Sequence, residues 1–214
     1  MATPIGNPKD ISLRALEYLR TCDVIIGEEK RELQKFLKMN DIEVGAIELL
    51  NEHSTASDLK KLVTLAKEKK VALISDCGTP AFCDPGANLV AACYGSGITV
   101  TTLPGASSVM AALSLSGFEL SEFVFRGFLS QKTEERAKEV KSLLKERRAI
   151  VLMDTPYRLE KLVVELSAEM PKREVFLAAN TTQRDEWSFR GQIESLLPKV
   201  SGKKAEFVLV LGPL

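Results

Sequence analysis

Val71-Ala72-Leu73-Ile74-Ser75-Asp76-Cys77-Gly78-Thr79-Pro80 is an uncharged apolar run that stops at an aspartate and passes into a glycine–proline loop. A short run of this kind, without polar alternation, reads as a strand covered on both faces. Four further stretches have the same character: 98–103, 149–153, 174–178 and 207–211. Amphipathic segments lie between them. Residues 12–22 align Leu13, Leu16 and Leu19 on one helical face. Residues 58–70 align Leu59, Leu62, Val63 and Ala66, and residues 157–170 align Leu159, Leu162, Val163 and Leu166. Strand–helix alternation at this spacing predicts an α/β fold with a largely parallel sheet.

Ser114-Leu115-Ser116-Gly117 carries the small-residue, glycine-terminated signal of a helix end. The lysine-rich helical stretch 131–147 follows it. A boundary near 115–118 divides the chain into α/β halves, 1–116 and 117–214, each of ordinary domain size. The charges at 132–148 mix signs, which predicts a solvated helix face.

The 29 basic residues match the 29 acidic ones, so bulk charge gives no argument for nucleic-acid binding and leaves only a local basic patch. No window approaches eighteen apolar residues without a charge, so no membrane span is expected. Met1-Ala2-Thr3-Pro4-Ile5-Gly6-Asn7 lacks the basic and apolar regions of a signal peptide. The expected location is the cytoplasm, with Cys22, Cys77, Cys83 and Cys93 as reduced thiols. No CxxC pair occurs and His53 is the single imidazole, so no metal site is expected.

Several predicted strands end in loops of similar composition. Asp76-Cys77-Gly78-Thr79-Pro80 and Asp84-Pro85-Gly86 follow 71–75. Pro104-Gly105-Ala106-Ser107-Ser108 follows 98–103, and Asp154-Thr155-Pro156 follows 149–153. Parallel strands gather such loops at their carboxyl ends, where α/β proteins bind ligands. Glycine admits a close backbone approach and proline stiffens the loop. Ser107 and Ser108 open a helix and offer donors beside its positive end. Neither GxGxxG nor GxxxxGKS is present, and the strand ends carry Asp, Ser and Thr rather than Lys. Acidic strand ends suit a ligand with hydroxyls, positive charge and no phosphate, and S-adenosylmethionine has those features. Met153, Ala178 and Ala179 offer apolar walls for an adenine. The plain alternative is that these loops only turn the chain.

Thr3-Pro4-Ile5-Gly6-Asn7, Ser75-Asp76-Cys77-Gly78-Thr79-Pro80 with Asp84-Pro85-Gly86, and Leu103-Pro104-Gly105, in this order, resemble the tetrapyrrole methylase superfamily. The forms are most similar to its branch of small-subunit rRNA cytidine ribose 2′-O-methyltransferases. The resemblance implies two α/β domains, a homodimer, and S-adenosylmethionine in the cleft between the domains. It assigns Pro4 and Gly6 to the first cofactor loop, and Asp76, Gly78 and Thr79 to the methionine and ribose portions. Ser107 and Ser108 match the hydroxyl pair after the Pro-Gly turn. Met153, Ala179 and the stretch 205–207, with Glu206 at its centre, match positions that enclose the adenosyl group.

The chain also departs from that branch. A full first strand is implied before the Thr-Pro-Ile-Gly-Asn loop, yet only Met1 and Ala2 precede Thr3; either the sheet lacks that strand or the start lies further upstream. The acidic Glu-Asp-Thr-Arg stretch reads Glu28-Glu29-Lys30-Arg31. The His-rich loop reads Glu52-His53-Ser54-Thr55, and the Arg-Glu-Leu-Thr-Lys segment reads Ala179-Asn180-Thr181-Thr182-Gln183. Pro156 and Arg158 of the Tyr-Glu-Ser-Pro-x-Arg segment are kept, and the small basic C-terminal extension is absent. Cofactor binding therefore carries over better than the identity of the acceptor. Glu28 matches the acidic position that orients or deprotonates a ribose hydroxyl. Arg31, with Arg158, has the planar donor set for a phosphate. Surface ion pairing is the alternative for both arginines, and a solvated loop residue is the alternative for His53. Trp187 either stacks on a base or packs on the second sheet.

The expected activity is methyl transfer to a ribose 2′-hydroxyl of small-subunit ribosomal RNA. A small tetrapyrrole-like acceptor and a non-catalytic cofactor-binding protein are the alternatives. A basic face built from Arg31, Lys35, Arg126 and Arg158 would mark the RNA reading.

Overall fold

The computed structural model describes residues 1–83 and 85–214. Asp84, part of the Asp-Pro-Gly motif, lies outside the described residues. The chain divides into two compact units, Met1–Ser107 and Ser108–Leu214.

The first unit contains α1 (Leu13–Leu19), β1 (Val24–Gly27), α2 (Lys30–Met39), β2 (Ala46–Leu49), α3 (Ala56–Glu68), β3 (Val71–Leu73) and α4 (Gly86–Gly95). Its sheet has the order β2-β1-β3, and both pairings are parallel. All four residues of β1 are buried, as a central strand requires. Ile25 faces Leu19, Leu33 and Leu37 on one side, and Val24 and Ile26 face Leu62, Leu89 and Cys93 on the other. Thr55 caps α3 in a reciprocal capping box with Asp58, which sets its start two residues ahead of the predicted 58–70.

The second unit contains α5 (Ser108–Leu115), β4 (Phe123–Phe128), α6 (Thr133–Leu143), β5 (Ala149–Asp154), α7 (Leu159–Glu169), β6 (Glu174–Ala179), β7 (Trp187–Gln192), α8 (Ile193–Val200) and β8 (Phe207–Leu211). The sheet order is β4-β5-β8-β6-β7. Period-two alternation buries both faces. Ile150, Leu152, Leu209 and Leu211 join α7 and α8, whereas Val151, Val208 and Val210 join Val109, Ala112 and Leu113 of α5. That packing places α5 with the second unit, which begins at Ser108.

Three expectations are corrected. Only β4 and β5 pair in parallel in the second sheet; β5–β8, β6–β8 and β6–β7 are antiparallel. The connection 180–186 is too short for the crossover that a parallel pair needs, and Asn180 (φ 48°) and Thr182 (φ 66°) turn it into a hairpin. Residues 98–103 join no strand among the described residues. The stretch 132–148 is not solvated throughout, because Arg136 is only 1% exposed.

Candidate functional site

In the first unit three of the predicted loops are tied together. Thr3 and Gly78 exchange two main-chain hydrogen bonds, of 2.9 and 3.1 Å. The buried Thr3 Oγ1 donates to Ser75 O at 3.1 Å, and Ser75 Oγ donates to Gly78 O at 3.1 Å. Thr79 Oγ1 donates to Ala106 O at 3.1 Å, which brings in the Pro-Gly loop. Gly105 lies against Ala2: a Cβ added there would stand 3.0 Å from the Ala2 Cβ. Pro4 is half-buried, while Gly6 and Thr79 are exposed at the edge of this cluster.

Gly78 holds φ at +77°, a left-handed conformation that L side chains resist. An added Cβ would meet Ile5 Cγ2 at 3.4 Å, an ordinary contact, so space is not the obstacle. Gly78→Ala should therefore cost about 1–2 kcal/mol of backbone strain. Thermal unfolding reads this directly, and an unchanged midpoint would contradict it.

Asp76 follows this cluster, exposed at the end of the 71–75 run. The protein around its carboxyl pushes its pKa up, and Glu29 and Glu32 add repulsion; the Glu29 amide, 3.3 Å from Oδ1, opposes the rise. Glu28 is half-buried just after β1, and Glu29, rather than Glu28, caps α2 by accepting from the Arg31 amide at 3.3 Å. Glu28, Glu29, Glu32 and Asp76 thus follow or neighbour the ends of adjacent parallel strands. Arg31 sits exposed in the first turn of α2. His53 is exposed, with its Nε2 3.6 Å from Glu52.

In the second unit the predicted positions fall at the C-terminal ends of β5 and β6. Met153 is half-buried in β5 and pairs with Val208. Ala179 is fully buried and paired on both sides, to Trp187 and to Phe207. A ligand at this edge therefore meets the following residue, Asn180, before the Ala179 side chain. Asn180 and Glu206 exchange bonds: Asn180 N donates to Glu206 O at 2.8 Å, and Glu206 N donates to Asn180 Oδ1 at 2.9 Å. The main chain of Glu206 is thus engaged, and its side chain is exposed. Ser108 opens α5, and Ser107 immediately precedes it. Trp187 packs against the core of the second sheet, with Lys203 Nζ 4.7 Å from its ring centroid.

Sequence reasoning missed the support beneath this edge. Arg136 of α6 donates from Nε to Glu165 Oε2 at 2.6 Å and from Nη1 to Ser130 O at 3.4 Å. Its Nη2 lies 2.9 Å from Asp154 Oδ2, an ion pair not aligned as a hydrogen bond, and neither atom has another partner among the described residues. Asp154 Oδ1 accepts from the Thr155 amide at 2.8 Å and stands 3.6 Å from Arg158 Nη1. An arginine inside a Lys/Glu-rich helix gives no sequence signal of burial. Tyr157, also missed, is 75% exposed, with Lys204 Nζ 4.7 Å from its ring centroid.

The expected basic face is not free. Lys35 pairs with Glu32 at 3.4 Å, Arg126 with Glu139 at 2.6 Å, and Arg158 with Asp154. Carboxylates beside a bare glycine backbone fit a cationic, hydroxyl-bearing ligand, and nothing in the Thr3–Gly78 cluster supplies a cationic phosphate cradle. Among the described residues no group of three His, Cys, Asp or Glu is placed to hold a metal, and no helix is long and apolar enough to cross a membrane.

Comparison with known proteins agrees with this chemistry. The family model of the Tetrapyrrole (Corrin/Porphyrin) Methylases matches residues 2–197. The "Ribosomal RNA small subunit methyltransferase I" of Thermotoga maritima is 38% identical over 215 residues, which cover 99% of this chain and 96% of that protein. The protein of the same name from Bacillus subtilis is 32% identical, over 98% of this chain and 72% of its own length. In fold, the chain is similar to a diphthine synthase (TM-score 0.72, 19% identity, covering 99% and 88% of the two chains). It is also similar to the uroporphyrin-III-C-methyltransferase of Thermus thermophilus (TM-score 0.66, 22% identity, covering 99% and 91%). The chain belongs to the tetrapyrrole methylase family of S-adenosylmethionine-dependent methyltransferases.

Proposed function

We propose that this methyltransferase modifies a ribose 2′-hydroxyl of small-subunit ribosomal RNA, in the cytoplasm and as a homodimer. The observation that carries the reading is similarity, over 98–99% of the chain and through both units, to proteins named as methyltransferases of small-subunit ribosomal RNA; the ribose 2′-hydroxyl comes from the resemblance of the motifs. A match confined to the cofactor loops would have left the acceptor open. Lys35, Arg126 and Arg158 are balanced by acids, so RNA docking relies on shape and stacking more than on net charge. Tyr157 beneath Lys204 offers such a stacking surface.

Asp76, Gly78 and Thr79 hold the methionine and ribose portions of the cofactor, and Pro4 and Gly6 form the first cofactor loop. Ser107, Ser108, Met153, Ala179 and Glu206 are assigned to cofactor binding by the resemblance, the last three to its adenosyl group. When bound, S-adenosylmethionine supplies an activated methyl group on a sulfonium. The chain's own task is then to place the acceptor oxygen in line and to take its proton. Glu28 is assigned the proton and Arg31 the neighbouring phosphate.

Ribosomal RNA from a deletion strain, digested and examined by mass spectrometry, should lack one ribose methyl group. The gene carrying Glu28→Gln should not restore it, and turnover in vitro should fall about 10²–10⁴-fold with cofactor binding kept. An unchanged RNA spectrum would move the acceptor to a small molecule.

A further inference from the structure

One end of the sheet in the second unit is a single row of paired residues. Asp154 of β5 pairs with Phe207 of β8, Phe207 with Ala179 of β6, and Ala179 with Trp187 of β7. Paired residues turn their side chains to the same face of a sheet, and here that face is the one covered by α7 and α8. The row spans three strand spacings, about 14 Å. Tyr157 lies in the turn that follows Asp154, and residues 203–206 lead into Phe207.

Two consecutive lysines reach two different rings along this row. Lys204 Nζ stands 4.7 Å from the Tyr157 ring centroid, and Lys203 Nζ stands 4.7 Å from that of Trp187. Lys199 of α8 covers the next aromatic residue of β7 in the same way, 5.7 Å from the Phe189 centroid. None of the three makes an ion pair among the described residues. The carboxylates beside these segments are held elsewhere. Glu160 accepts from Ser201 Oγ and from the Gly202 amide, both at 3.1 Å. Asp185 accepts from Asn180 Nδ2 at 2.6 Å, and Glu186 from the Thr182 amide at 2.7 Å. Glu206 is the exposed exception.

A lysine resting on an exposed ring is held weakly, and a nucleobase stacks on such a ring more strongly than an ammonium does. A base arriving on the ring therefore releases the ammonium, which finds its counter-charge in a phosphate of the same strand. Ring and cation together match a single strand, with a π-face for the base and a positive charge for the backbone. A duplex, its bases already stacked on one another, would use only the charges, and so would an acidic peptide. We propose that Tyr157, Trp187, Lys203 and Lys204 form a docking track for single-stranded RNA, which takes nucleotides flanking the methylated one. The track deepens the ribosomal-RNA reading and rests on it. Its row contains Ala179, assigned above to the cofactor, so the strand would run past the edge that is to hold the methyl donor.

Trp187 is the single tryptophan of the chain, so its fluorescence reports on this ring alone. Titrating the full chain with a single-stranded oligocytidylate of about ten nucleotides should quench it saturably. Lys203→Ala combined with Lys204→Ala should weaken binding at least about tenfold and lower the slope of log affinity against log salt by about 1.4, the share of two phosphates on a single strand. Tyr157→Ala, which removes a ring that is 75% exposed, should weaken binding by about 5–100-fold, the worth of one stacked base. S-adenosylhomocysteine should raise the melting temperature of these variants as much as that of the parent. Binding without quenching, variants that bind as tightly as the parent, or an equal loss of cofactor binding would overturn the track. Displacement of the oligonucleotide by polyglutamate at equal charge would overturn it as well. A parent chain that binds no oligonucleotide also overturns it, and the ribose methyl group in the deletion strain then decides separately whether the ribosomal-RNA reading falls too.

Discussion

Arg136→Ala is expected to destabilise the second unit by about 3–5 kcal/mol, the cost of leaving a buried ionic partner uncompensated. Arg136 is enclosed, and Asp154 Oδ2 has no other partner among the described residues. Glu165 is less enclosed and also lies 3.8 Å from Lys161, so most of the loss falls on Asp154. The melting temperature should drop by roughly 10 °C for a chain of this size. Replacing all three groups with apolar or neutral ones, as in Arg136→Met with Asp154→Asn and Glu165→Met, should recover much of the loss, because no charge is then stranded. A single Arg136→Ala variant as stable as the parent would show that water reaches this cluster. Asp154 also holds the Thr155 amide, so the single variant should loosen the 154–158 turn and weaken methyl transfer even where the fold survives.

The second large effect concerns Asp76. Asp76→Ala should weaken binding of S-adenosylmethionine by about 10–100-fold, the range for losing one charge-assisted hydrogen bond, and should shrink the ligand-induced rise in melting temperature. The pH dependence has a definite sign. The protein around the exposed carboxyl, followed by Glu29 and Glu32, raises its pKa, so folding shifts the balance toward the protonated form. Its contribution to the stability of the free protein is present below the unfolded pKa and is lost as pH rises through the folded value. A cationic ligand reverses the preference by selecting the carboxylate. Affinity should therefore fall as pH drops through the raised pKa, with a proton released on binding at acidic pH. Asp76→Asn should flatten that profile. Calorimetry in buffers of different ionisation enthalpy reads the released proton, and a pH-independent affinity in the parent would remove Asp76 from the site.

What could be read from the residues follows from how local each signal is. β5, β6 and β8 were visible because each is a continuous apolar run buried on both faces. β7 was not, because its alternating burial places Trp187, Phe189 and Gly191 on one side and polar residues on the other. β1 was hidden by length: four residues give too little pattern to separate strand from helix. The parallel bias failed where the 180–186 hairpin reversed the chain, a decision made by positive φ at Asn180 and Thr182 rather than by composition. In the first unit, the tying of Thr3, Ser75, Gly78, Thr79 and Ala106 follows the motif order closely. Arg136 was invisible because its burial depends on α7 and on the end of β5, both distant in sequence.

The central position of β8 has a consequence for biogenesis. Residues 207–211 are made after every other element of the second unit, yet they lie between β5 and β6. Until those residues leave the ribosomal tunnel, two apolar ladders stay open to the cellular milieu, while Met1–Ser107 has long been free to collapse. A nascent chain stalled before Phe207 is accordingly a client for holdase chaperones.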